Sequence, residues 1–118
     1  MATTGMIIVP SPVFVDFTSS ITTVQDLMST SDVQLYRYGK LGLFKFRFKP
    51  LDSFPVGYTK THTLPLKPST NFQTMVPKTN TSGSVGLFLY SASGDVEVYS
   101  YGGAYSDWVT GQMWFPIA

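Results

Sequence analysis

Residues 40–49 read KLGLFKFRFK, and their alternation constrains the fold more than any other stretch of the chain. In an extended strand successive side chains leave on opposite sides, so Phe44, Phe46 and Phe48 form one face and Lys45, Arg47 and Lys49 the other. On a helix the same residues would scatter around the cylinder and mix three cations with three phenylalanines. One apolar face and one charged face describe a strand of an antiparallel sheet, with a core on one side and water on the other.

The same period recurs along the chain. VQLYRYGK precedes this strand, with Gly39 in the connecting turn, and YTKTHTL (Tyr58 to Leu64) reads as a further strand. FQTMV reads as a short one, while PLKPSTNF carries two prolines that forbid a central strand. VGLFLY, SASGD and VEVYSY form a second hairpin, with Gly94 at the left-handed turn position. A last strand runs from Gln112 to Ile117. Helical spacing is confined to TTVQDLMST, residues 22–30, which is too short to stand alone and reads as a turn of helix or a loop. The pattern predicts an all-β fold, an antiparallel β-sandwich or jelly roll of about seven or eight short strands. A chain of 118 residues makes one domain. Within it, residues 1–32 are expected to supply an arm and the first strand or strands, and residues 33–118 the sandwich.

The final residues, DWVTGQMWFPIA, carry two tryptophans and no charge after Asp107. Period two sends Met113, Phe115 and Ile117 to one face and Gln112 and Trp114 to the other. Burying the first three is worth roughly 5–9 kcal/mol before entropy. This is therefore expected to be a central core strand. Its Trp114, on the side away from the core, is expected to meet a neighbouring subunit or the second face of a tightly wrapped head.

Catalytic patterns are absent from the sequence. His62 is the one histidine, set among threonines in KTHTL, and nothing resembles a nucleophile elbow. It reads as a surface or interface histidine. Asp16, Asp26, Asp32, Asp52, Asp95, Glu97 and Asp107 show no spacing of a facing carboxylate pair. Asp95 lies in a turn, where its side chain suits backbone hydrogen bonding. With no cysteine and no metal-ligand spacing, the expectation is a protein without catalysis, cofactor or metal. A net charge of +1, with basic residues grouped only at Lys45, Arg47 and Lys49, argues against a nucleic-acid partner. MATTGMIIVPSPVFV lacks the basic start of a signal peptide, and no stretch approaches ~20 apolar residues, so no membrane insertion is expected.

Aromatic residues carry more information. The chain has seven Tyr, nine Phe and two Trp, so rings must populate its surface as well as its core. In VEVYSY the valines 96 and 98 share one face, while Glu97, Tyr99 and Tyr101 share the other. Tyr99 and Tyr101 either cap the sandwich, fill a subunit interface or touch a ligand. Tyr105, Asp107 and Trp108 lie in or beside a turn, where binding residues concentrate.

The order of these features resembles the C-terminal head domains of phage tail-fibre and baseplate receptor-binding proteins. That family shows a loop of the type TLPEGYRP, then a V-dG-v-v hairpin, and ends on W-x-G-x-i-x-[YF]. Thr63, Leu64 and Pro65 match the start of the first motif, Val96 and Val98 after Gly94 and Asp95 the second, and Trp108, Gly111 and Phe115 the third. The match covers residues 41–118, and LKPST stands where the first motif continues with Glu-Gly-aromatic-Arg-Pro. The resemblance implies a homotrimeric jelly-roll head on the virion, extracellular when it works. It would bind host-surface saccharide or teichoic-acid-like polymers without catalysis, alongside other tail or baseplate proteins. Saccharide grooves in such heads are lined by aromatic and acidic residues, which nominates Tyr101, Tyr105, Asp107 and Trp108 here. Tyr99 and Trp114 are the expected oligomer contacts. A fibre-stabilising trimer without ligand and a secreted carbohydrate-binding module are the alternatives.

Overall fold

The computed structural model describes residues 14–50, 57–77, 84–100 and 108–118. Among them are nine strands: β1 (Phe14–Asp16), β2 (Thr22–Thr23), β3 (Met28–Tyr38), β4 (Leu41–Pro50), β5 (Gly57–Thr63), β6 (Phe72–Pro77), β7 (Ser84–Leu89), β8 (Asp95–Ser100) and β9 (Val109–Pro116). Short 3-10 turns at Thr18–Ser20 and Gln25–Leu27 join the first three. The strands form two antiparallel sheets, ordered β9-β4-β3-β1 and β2-β5-β8-β7-β6.

The alternation read from residues 40–49 sets the packing. Phe44, Phe46 and Phe48 are buried, while Lys45 and Arg47 are exposed on the other side of the sheet. From the second sheet Val85, Leu87, Leu89, Val96 and Val98 close over them, and the two layers share one core with Leu35, Val109, Met113 and Phe115. Two glycines make room for this. Phe115 pairs with Gly42 and Phe46 with Gly111, and a Cβ at either glycine would meet the partner's ring. Each phenylalanine thus covers the backbone of a glycine across the ladder, so glycine inside these strands is a packing requirement.

Several sequence expectations change in detail. TTVQDLMST is divided among β2, a 3-10 turn and the start of β3. The strand expected to open at Val33 begins at Met28, so β3 runs unbroken across positions 32 and 33. Among the described strands the last begins at Val109 and lies at an edge of its sheet, with β4 as its neighbour, rather than at the centre. Its faces are as expected: Met113 and Phe115 are buried and Trp114 is 43% exposed.

The first two motifs also meet. Leu64 N–H donates to Gly94 O at 2.8 Å, and Thr63 Oγ1 donates to Asp95 Oδ1 at 2.9 Å. Gly94 has φ of 76°, and a Cβ there would strike the Leu64 carbonyl oxygen. Both the conformation and the space therefore demand glycine.

Candidate functional site

The outer face of the four-stranded sheet is organised in rows by strand register. Thr110, Arg47 and Asp32 share one row, Gln112, Lys45 and Gln34 the next, and Trp114, Leu43 and Tyr36 the third. Pro116, Leu41 and Tyr38 form the fourth, where β1 adds Phe14. The face is therefore polar and cationic at one end and mostly apolar at the other, where β1 also sets Asp16 beside Tyr36.

At the apolar end Phe14 and Leu41 are exposed, with Phe14 54% accessible. The Phe14 ring lies 4.7 Å from that of Tyr38 and meets Tyr36 edge-on at 6.1 Å. Leu43, flanked in register by Trp114 and Tyr36, is buried although it points away from the core. At the polar end Arg47 Cζ sits 4.0 Å from the centre of the Trp108 ring. That cation–π contact fixes the guanidinium and covers one face of the indole.

Two shallow depressions meet at Lys45. One, of about 220 Å3, is lined by Asp32, Gln34, Lys45, Phe46, Arg47, Thr110 and Gly111. The other, of about 320 Å3, is lined by Phe14, Tyr36, Leu43 and Lys45. The Phe14 and Tyr36 rings of the second, next to the carboxylate, amide and hydroxyl groups of the first, suit a polyhydroxylated ring, which offers C–H groups on one side and hydrogen-bonding groups at its rim.

The outer face of the five-stranded sheet is different. The rings of Tyr58 and Tyr99 are 4.5 Å apart and those of Tyr58 and Phe88 5.2 Å apart. Phe88 packs beside Gly86, where a Cβ would meet its ring at 2.9 Å. Burial, then the hydrogen bond and charge of Glu97, push the Tyr90 hydroxyl up to about 12. Lys60 Nζ lies 3.5 Å from Asp95 Oδ1. Burial raises the Asp95 carboxyl, but hydrogen bonds from Thr63 and Ser93 and the Lys60 charge outweigh it and hold the group below its usual range.

His62 departs from its expected place. It is fully buried, as is Thr61. An unbroken alternation would put His62 on the outer face with Tyr58 and Lys60. A bulge at Thr61 shifts the register, so His62 faces Val96 and turns inward. Its Nδ1 lies 2.9 Å from Thr61 Oγ1, which itself donates to Val96 O at 3.3 Å, and its Nε2 lies 3.1 Å from Ser31 Oγ. Because the Thr61 hydroxyl proton goes to Val96, Nδ1 must carry the imidazole proton and Nε2 must accept from Ser31. The ring packs between Phe44 and Phe48, and burial pushes its pKa down to about 4. A neutral histidine here joins the two sheets. Buried this completely, it is closed to any substrate.

Of the residues nominated from sequence, Tyr101, Tyr105 and Asp107 lie outside the described residues. Trp108 is half-buried against Arg47 at the polar end of the four-stranded face. Trp114 stands at the apolar end of that face, whereas Tyr99 lies on the outer face of the other sheet. One flat contact cannot include both. Sequence reasoning did not single out Asp32, Gln34, Tyr36, Lys45 and Arg47 as neighbours of the tryptophans. Half of the signal was present: the Gly39 turn sets Tyr38 against Leu41, and counting back from it aligns Asp32 with Arg47.

Comparisons with known proteins add no relative to this geometry: no family model, no curated protein and no solved structure matches the chain.

Proposed function

We propose that this chain is a non-catalytic adhesion module, the head of a phage tail-fibre or baseplate receptor-binding protein that attaches the virion to host-surface saccharide. In this reading the two sheets form a jelly-roll head that assembles as a homotrimer. The polar end of the four-stranded face, beside Trp108, holds the sugar, and the apolar end around Trp114 meets a neighbouring subunit. The observation that carries the reading is the gradation of that face, from Arg47, Asp32 and Gln34 to Trp114, Tyr36 and Phe14. The order of motifs in residues 41–118 supports the phage setting.

The test is binding of the purified chain to a printed glycan array and to candidate host cells, with its mass measured by light scattering. A trimer that binds a defined group of glycans and blocks phage adsorption supports the proposal. A monomer that binds none contradicts it.

A second reading, a fibre-stabilising trimer without ligand, draws on the exposed Phe14, Leu41 and Trp114, which suit subunit packing by themselves. It predicts a trimer that binds no glycan and leaves adsorption unchanged.

A further inference from the structure

The saccharide reading leaves the charge of the ligand open, and the polar end of the four-stranded face addresses it. β4 presents Lys45, Arg47 and Lys49 on its outward side, three of the eight Lys/Arg in the chain. At two residues per repeat they span about 13 Å. Across the register stands Asp32, and Asp16 on β1 is already engaged as acceptor of the Thr18 N–H at 2.8 Å. The ion pair found among the described residues, Lys60 with Asp95, is on the other sheet. The cations of β4 therefore exceed the carboxylates beside them.

We infer that the ligand of this face is an anionic saccharide, carrying carboxylate or phosphate groups that Arg47 and Lys45 bind in the depression they line with Asp32, Gln34 and Thr110. This rests on the saccharide reading above. Arg47 is suited to the task because Trp108 holds its guanidinium in place, so little side-chain freedom is lost when its planar fork meets a carboxylate or phosphate. Lys45 lines both depressions and reaches the same anion from the adjacent row. Gln34 and Thr110 remain for uncharged hydroxyls, and Asp32 accepts from a hydroxyl on the side away from the anion. A stripe this short, in a chain of net charge +1, favours an acidic sugar over nucleic acid, which is bound along longer basic tracks.

The test is an array that pairs each acidic glycan (uronate, sialylated or phosphorylated) with its neutral counterpart, and that includes single-stranded DNA as a different polyanion. The chain is expected to prefer the acidic members, with binding that weakens as salt rises. The double variant Lys45→Gln/Arg47→Gln, both exposed and so compatible with the fold, should lose roughly ten- to a hundredfold in affinity for them. Lys60→Gln, on the opposite sheet, should bind as wild type. Equal binding of acidic and neutral members, or a double variant that keeps its preference, overturns the inference while the saccharide reading stands. Binding of no glycan overturns both. Tighter binding of the oligonucleotide than of any glycan overturns the inference in favour of a nucleic-acid site.

Discussion

His62 shows how one residue can tie two sheets together and make their union depend on pH. Its neutral ring accepts from Ser31 on one sheet and donates to Thr61 on the other, between Phe44 and Phe48. With a folded pKa of about 4 against 6.5 when unfolded, the unfolded chain binds more protons throughout that interval. The stabilisation is complete above about pH 6.5 and is lost as pH falls toward 4, amounting to roughly 3 kcal/mol over the window. Urea unfolding followed between these limits should show this slope, and His62→Gln, although less stable at neutral pH, should flatten it. Asp16 does not blur the window. Side-chain and backbone hydrogen bonds with Thr18 hold its carboxyl below 3.8, so its contribution is lost only at still lower pH. A second residue-scale consequence concerns Trp114. Replacing it with Glu places a charge on the apolar end of the face, and for the proposed trimer the expected result in light scattering is a monomer with an unchanged circular dichroism spectrum.

Among the elements, β9 and β4 depend on each other most visibly. Gly42→Ala would force a methyl group into the Phe115 ring, and overpacking of this kind costs about 1–3 kcal/mol, measurable as a lower denaturation midpoint. Deleting residues 112–118 removes Met113 and Phe115 from the shared core, and the outcome expected from circular dichroism and solubility is a chain that does not fold. Strand existence and facing in this region are legible in the sequence because burial on one side imposes period two, as LFKFRFK and QMWFPI both show. Other features are not legible, for physical reasons. The inward turn of His62 depends on one unpaired residue, Thr61, and no periodicity marks where a ladder will slip. The edge position of β9 depends on strand order, which long-range pairing settles. For the same reason Trp114 could be assigned to an outward face while its neighbours Leu43 and Tyr36 could not be named.

For the whole molecule, two sheets over one core leave two outer faces, and these are not equivalent. A closed ring of subunits repeats one contact between two patches through a fixed rotation. Trp114 and Tyr99 lie on the outer faces of different sheets, so in the proposed trimer they would belong to two different patches. The proposal gives subunit contact and ligand contact to opposite ends of the four-stranded face, with Lys45 at their junction. The most direct measurement of that division is glycan binding by Trp108→Ala with solution mass recorded on the same sample. The account predicts affinity lower by tenfold or more, because the ring beside the depression and the support of Arg47 are both lost, with the trimer mass unchanged. Binding equal to wild type, or loss of the trimer in this variant, would contradict it.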